Sequence, residues 1–362
     1  MISKIFRTLS AAVILMAGVL TVQGPAQAAP TLKDKKVTLI IPFKEGGGST
    51  VYVRFLESLL QKHLPGNPTM IVRNIGGGGS VKGLNYFVRK AKPDGTMVSN
   101  TGASTLIKYT LGNKAVKYDL KKLIPVLSSP LGVIVYADKK TGLSADNIKK
   151  IKGMNLTFGG RSPTAGGMSL ILSYELLGAK MKYIFGLSSG KRRQAFQRSE
   201  SNINFDSMPS YVKRVQPLIK EGKAVPLYTL GYLNDDGKIV RDPMLSDLPT
   251  FFEVYEKVHG KPLTGVEARV MKALIAGRVM AAKMMLLPEK TPKDIVAMYD
   301  AAVKKIIADP QFTGPKGLSV MGPYPQSIGK NARAVLKEAS DMDPEATKWL
   351  KEWLNKRFDV KS

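Results

Sequence analysis

The hydrophobic positions along the chain switch repeatedly between a strand-like and a helix-like period. Residues 37–41 form a short β-branched run that Pro42 stops, which predicts a strand. Val51, Phe55 and Leu59, joined by Leu56 and Leu60, then recur at three- and four-residue spacing, the stripe of a helix. Residues 69–72 predict a second strand, and Val81, Leu84 and Val88 a second helix. Further strands are predicted at 97–100, 131–136, 156–158, 183–185, 203–205 and 225–230. Helical patterns fall between them at 170–177 and 211–220, and longer ones run over 292–308 and 344–358. Strands that alternate with helices from end to end predict an α/β fold.

Length adds a division to this pattern. A chain of 362 residues exceeds what one hydrophobic core usually serves, so two domains are expected. With no low-complexity linker in view, Ser128-Ser129-Pro130 is the natural place for a boundary. The first residues read as a leader: Lys4 and Arg7 precede an apolar run over 11–20, and Ala26-Gln27-Ala28 supplies the small residues of a cleavage site. The run is shorter than the roughly 20 residues of a spanning helix. Residues 1–28 are therefore expected to be a signal peptide that directs the rest to the periplasm.

Composition removes several kinds of chemistry. The chain has no Cys and only two His, His63 and His259, so disulfides, thiol nucleophiles and Cys- or multi-His-based metal centres are not expected. Lys and Arg number 55 against 28 Asp and Glu, for a formal charge of +27. That surplus points to an anionic partner without naming it. The basic residues are scattered, with Lys191-Arg192-Arg193 the densest cluster, and aromatic–basic interleaving is missing, so nucleic acid is not the expected partner.

The loops carry more information than the elements. Four strand-to-helix connections are rich in Gly, Ser and Thr: 43–50, 74–80, 100–105 and 159–167. In an open α/β sheet such loops gather at the carboxyl ends of the strands, where ligands bind. Each opens a helix, so free backbone N–H groups and the positive end of a helix dipole face the crevice. One such loop is simply a tight turn with a Ser or Thr cap. Four in the same topological position form an anion-selective pocket of uncharged groups. The spacing matches neither G-x-x-x-x-G-K-[ST] nor G-x-G-x-x-G, so no nucleotide cofactor is expected.

These loops resemble the signatures of the substrate-binding proteins of tripartite tricarboxylate transporters, the Bug family of periplasmic receptors. The first signature, Pro-Phe-x-x-Gly-Gly-x-x-Asp-x-x-x-Arg, is echoed by Pro42-Phe43-Lys44-Glu45-Gly46-Gly47-Gly48-Ser49-Thr50 with Arg54 in register. The second is echoed by Pro65-Gly66-Asn67-Pro68, Val72-Arg73-Asn74, the glycines 76–79 and Pro93-Asp94-Gly95. Phe205-Asp206-Ser207, Leu248-Pro249-Thr250-Phe251 and Ala308-Asp309-Pro310 look like further landmarks, so the resemblance runs from about residue 37 to the C-terminal helix.

The resemblance implies a two-domain periplasmic-binding-protein-like fold with a ligand cleft between the domains. It implies domain 1 over 29–130, domain 2 over 131–247, and a return to domain 1 with the C-terminal helices over 248–362. It further implies a monomer that holds a small organic anion, a carboxylate or dicarboxylate, and passes it to membrane permease subunits without a cofactor or metal. By position, Phe43, Gly47, Gly48, Ser49 and Thr50 would line one end of the cleft, joined by Gly77, Gly78, Gly79 and Ser80. Thr101 and Ser104, with Arg161, Ser162, Thr164 and Asp206 from the second domain, complete the candidate set. Thr50 stands where the family often has Asp, which disfavours a cationic ligand. Arg161 is either a bidentate grip for a distal carboxylate or a surface Arg beside a turn. Glu45 is expected to face solvent, and the 262–285 segment follows no family pattern.

Two rival readings remain in the sequence. Gly186-Leu187-Ser188-Ser189-Gly190 fits the G-x-S-x-G of a serine hydrolase, after a strand and before a helix, with His259 the only downstream His. Ser188 would then be a nucleophile; otherwise the segment is a turn near the cleft. The charge surplus also fits a basic surface protein that binds acidic polymers. Trp349 and Trp353, spaced with Leu350 and Leu354, form either a partner face or a stripe that packs on its own domain.

Overall fold

The structure, a computed structural model, describes residues 30–234 and 236–361; the expected signal peptide, residues 1–28, lies outside these. The strands are β1 (Lys36–Ile41), β2 (Thr69–Asn74), β3 (Met97–Thr101), β4 (Ile124–Ser129), β5 (Val133–Asp138), β6 (Asn155–Gly159) and β7 (Lys180–Ile184). They continue with β8 (Ile203–Ser207), β9 (Ala224–Thr229), β10 (Tyr232–Leu233), β11 (Ile239–Val240), β12 (Lys283–Leu287) and β13 (Ser327–Ile328). A six-stranded sheet has the order β13-β4-β12-β3-β1-β2, a five-stranded sheet the order β7-β6-β8-β5-β9, and β10 and β11 form a small ribbon. Both large sheets are mixed: β1 pairs in parallel with β2 and β3, and β12 runs antiparallel to β3 and β4. In the second sheet β6 is parallel to β7 and β8, while β5 is antiparallel to β8 and β9. The fold is α/β in two lobes, one around each sheet.

Each sheet buries its own apolar faces. Val37, Leu39 and Ile41 of β1 point to one side and meet Tyr52, Val53, Leu56 and Leu59 of the helix Gly48–His63, while Ile40 points to the other and meets Leu84 and Phe87. The alternation along one strand thus divides two helical layers. In the second lobe Val133 and Val135 pack with Leu170, Ile171 and Tyr174 of the helix Met168–Leu176, and Ile134 and Tyr136 face Phe196, Met208 and Tyr211. Burying one such side chain stabilises by about 1.5–3 kcal/mol.

Five strands do not show in the periodicity: the two-residue β10 and β11 of the ribbon, and β4, β12 and β13 of the first sheet. β4 contains Pro125, which reads as a strand breaker, but Pro125 sits opposite Leu286 where the β4–β12 register shifts, the bulge position a sheet tolerates. Its end, Ser128-Ser129, was read as a boundary and is buried strand. β12 is Met- and Leu-rich without β-branched residues, so its pattern did not separate from a helix. β13 is only two residues long.

The chain crosses between the sheets at 130–132, after β4, and again at 276–282, before β12. The second crossing comes later than residue 248, where the return was expected. The helices Phe251–His259 and Gly265–Ile275 bury Phe251, Val254, Val270, Met271 and Ile275 in the core of the second lobe. The last helix, Pro344–Phe358, also packs there through Ala346, Leu350 and Leu354, with Trp349 and Trp353 against the same cluster.

The two crossings lie side by side. The Leu131 N–H donates to Val279 O at 2.9 Å, and the Ser128 hydroxyl donates to Met280 O at 3.0 Å. Gly132 leaves no room there: a Cβ would lie 1.9 Å from Asp242 Oδ2 and 2.2 Å from the Tyr324 hydroxyl, which itself donates to Asp242. Gly132→Ala should therefore lower the unfolding free energy in urea by about 1–3 kcal/mol. Gly190→Ala, where a Cβ meets nothing within 4 Å, should leave stability unchanged or slightly raised. Equal effects from the two substitutions would contradict this packing.

Candidate functional site

The first two Gly-rich loops are clamped to each other. Pro42 has no N–H to extend β1, and the chain turns through Gly46 at a φ of +76° into the helix Gly48–His63. Gly47 caps that helix without a side-chain bond, so the first N–H groups depend on whatever lies in front of them. Asn74 at the end of β2 donates its amide to Phe43 O and to Thr50 Oγ1, both at 3.0 Å. A Cβ on Gly76 would lie 2.7 Å from the Lys44 nitrogen, so glycine is what lets the loops touch. Thr50 thus acts as a tie between loops. Phe43 is half-buried on the first core, while Gly47 and Gly48 are exposed, as is Glu45.

The second loop is bent in an unusual way. Gly77, Gly78, Gly79 and Ser80 all have positive φ, at +144°, +57°, +67° and +97°. Ser80 is a strained residue, since a left-handed backbone costs an L-side chain about 1–2 kcal/mol. Its hydroxyl is buried and bonded to the Thr105 hydroxyl at 2.8 Å, which anchors the loop to the helix Ala103–Thr110. Gly78 and Gly79 stay open and line a pocket of about 600 Å³ with Lys82, Lys108, Arg161, Ser162 and Thr164. The structure therefore brings Gly78, Gly79, Arg161, Ser162 and Thr164 to one opening between the lobes.

The third and fourth loops meet each other directly. The Gly166 N–H donates to the Ser104 hydroxyl at 3.1 Å, and the Lys108 ammonium donates to the Thr164 hydroxyl at 2.8 Å. Burial lowers the Lys108 pKa. Ser104 and Thr164 thus spend their hydroxyls latching the lobes, while Arg161 stays exposed at the rim. Asp206 at the end of β8 is buried and committed: it accepts from Arg193 at 2.7 Å and from the Tyr136 hydroxyl at 3.1 Å, with Arg192 at 3.6 Å. Thr101 is fully buried, and its hydroxyl has no hydrogen-bond partner.

Two cations that sequence reasoning missed lie on the second crossing between the lobes. The Lys283 ammonium donates to the Ser49 hydroxyl at 2.7 Å, at the head of the first helix. Arg278, in the one-turn π-helical segment Ala276–Met280, points its guanidinium at the Phe205 ring, 5.6 Å from its centre. Arg192 stacks on the same ring at 3.9 Å and donates to Phe205 O at 2.7 Å. Burial, and then the Arg278 charge, push the Lys283 pKa down to about 8. Burial first, then the Arg192 charge, push Arg278 down to about 10. The available signal was a lone Arg and a lone Lys inside the apolar stretch 273–287, where unpaired cations are rare.

The elements around the G-x-S-x-G segment assign Ser188 a local role. Its hydroxyl accepts from the Lys191 N–H at 3.5 Å as the cap of the helix Ser189–Gln197. The His63 imidazole bonds Asp309 at 2.7 Å, and that of His259 bonds Leu176 O at 2.9 Å. Among the described residues no group of His, Asp or Glu is arranged to hold a metal ion, and no helix is long and apolar enough to cross a membrane.

No family model and no curated protein matches the chain. Solved structures do, and they share its two-lobed α/β fold. The TctC solute binding protein from Polaromonas is 17% identical, over 89% of this chain and 98% of its own, with a TM-score of 0.62. The periplasmic binding protein BugD is 19% identical over 88% and 97%, with a TM-score of 0.60. MatC from Rhodopseudomonas palustris, solved with bound malate, is 20% identical over 86% and 98%, with a TM-score of 0.58. In fold, this chain resembles the TctC and Bug proteins, as its loop motifs led us to expect.

The depressed Lys283 pKa has a consequence for stability. The neighbouring elements offer it no carboxylate: the first helix supplies Ser49 and the neutral phenol of Tyr52, β3 and β4 supply Thr101 and Ser129, and the crossing supplies Arg278. Between about pH 8 and 10.5 the folded lysine has lost a proton that the unfolded chain keeps. Unfolding then takes up a proton, so stability rises with pH across that window. Relative to Lys283→Met, the parent chain should gain stability in urea from pH 8 to 10.5; parallel curves would contradict this.

Proposed function

We propose that the protein is a periplasmic receptor that closes its two lobes on a small organic anion, a carboxylate or dicarboxylate, and delivers it to a tripartite tricarboxylate-type membrane permease. The observation that carries this reading is the clamped pair of Gly-rich loops, which present backbone N–H groups to a cleft where cations outnumber carboxylates. Such donors select an anion by geometry and by the helix dipole, with no side chain required. Closure excludes water, and each contact to the anion then strengthens in the lower dielectric. Bound malate in MatC, a protein of the same fold, agrees with this ligand class. The leader at residues 1–28 and the periplasmic neighbours support export. The protein acts as a monomer in this reading.

The hydrolase reading has less to stand on. Ser188 serves as a helix cap, and each of the two His residues is engaged with a partner in its own lobe. The polymer-binding reading leaves the paired loops without a purpose.

A thermal-shift series with mono-, di- and tricarboxylates tests the proposal. A ligand at a hundred times its Kd should stabilise the protein by about 2.7 kcal/mol. Gly48 is a suitable blocking position, because a Cβ there meets nothing within 4 Å and its φ is ordinary. Gly48→Val should keep the urea stability within about 0.5 kcal/mol and abolish the ligand-induced shift. A variant that binds as well as the parent would overturn this assignment of the site.

A further inference from the structure

The charge around the second crossing does not balance. Asp206 is the one buried carboxylate beside it, and Arg193, Arg192 and Tyr136 already occupy its oxygens. Arg278 and Lys283 take part in no salt bridge among the described residues, and Arg278 Nε is buried without any hydrogen-bond partner. Both side chains are half-buried, and a cation stripped of part of its hydration with no carboxylate beside it costs the fold, while the two charges repel each other as well. Replacing them with apolar residues would stabilise an empty protein, so their presence calls for an anion that arrives from outside.

Their position says where that anion belongs. Lys283 reaches the hydroxyl of Ser49, at the head of the helix that the first Gly-rich loop opens. Its neighbour in the sheet, Met284, pairs with Thr101, whose buried hydroxyl is also without a partner. Arg278 reaches the other way, to the Phe205 ring at the end of β8 in the second lobe. Arg278 lines a small cavity with Ala103, Leu106, Met168 and Ser169, apart from the 600 Å³ opening, so the two cations extend from the head of the first helix toward the second lobe.

We infer that Arg278 and Lys283 form a second grip that holds the distal carboxylate of a dianionic ligand whose first carboxylate sits on the loop N–H groups. The inference rests on the receptor reading above and narrows it: the ligand is a dicarboxylate, and a monocarboxylate of equal length leaves the two cations unpaired. A guanidinium supplies two parallel donors for one carboxylate, and an ammonium adds a point charge, so the pair suits a planar anion. Arg161, exposed at the rim, plays no part in this grip.

Calorimetric titrations of succinate, glutarate and adipate against butyrate, valerate and hexanoate test it, on the parent chain and on Arg278→Gln and Lys283→Met. The parent should prefer each dicarboxylate over its monocarboxylate partner. Each variant should lose about tenfold to hundredfold in dicarboxylate affinity and keep its monocarboxylate affinity. Both variants should also unfold at equal or higher urea than the parent in the absence of ligand, which excludes misfolding as the cause. If the variants lose mono- and dicarboxylates alike, or neither, the second grip is refuted while the receptor reading stands. If the folded parent binds none of these acids, the receptor reading falls and the grip falls with it.

Discussion

The arrangement of this protein depends on half-buried positive charge without an acid to match it. Lys283 is held against Ser49 between two serine- and threonine-bearing strands, and Arg278 lies on an aromatic ring between the lobes. Both sit on the segment that carries the chain back from the second sheet to the first. Their mutual repulsion and lost hydration work against the empty, closed arrangement. In the proposed grip an anion between them removes that penalty, so the same charges that weaken the free protein would reward ligand capture. A receptor that must close on its ligand and reopen has use for such coupling, because it ties the closed state to occupancy.

The rest of the architecture holds those charges and the loops in register. Asn74 ties the first loop to the second, Ser80 ties the second to the helix after β3, and Lys108 with Ser104 ties that helix to the second lobe. These are short polar links between elements whose apolar faces are buried elsewhere. The lobes also meet through apolar packing, because Ile107 and Leu111 of the first lobe join the second lobe's core beside Met168 and Leu350. The two crossings are joined to each other by the hydrogen bond from the Leu131 N–H to Val279 O.

Much of this was legible from the chain alone, and the misses have physical causes. β-branched runs such as those of β1 and β5 announce strands because their side chains fit a pleated surface. β4 was hidden by a proline that only a bulge can accommodate, and β12 by methionines that suit helix and strand alike. The glycines of the loops were readable as an anion site, since backbone donors need small residues around them. Thr50, Ser80, Ser104, Thr164 and Asp206 were readable as polar and near the cleft, but not as already bonded to Asn74, Thr105, Gly166, Lys108 and Arg193. Arg278 and Lys283 carried no motif at all. In a chain with so many basic residues, two more stand out only when the fold shows which are half-buried and without a carboxylate.

The direct test is a crystal structure of the protein grown with a four- to six-carbon dicarboxylate. The account predicts the ligand between the lobes, with one carboxylate within hydrogen-bond distance of the N–H groups of the 47–49 or 77–79 loop and the other on Arg278 or Lys283. A dicarboxylate found at the rim on Arg161, or bound with both carboxylates away from the crossing segment, would contradict it.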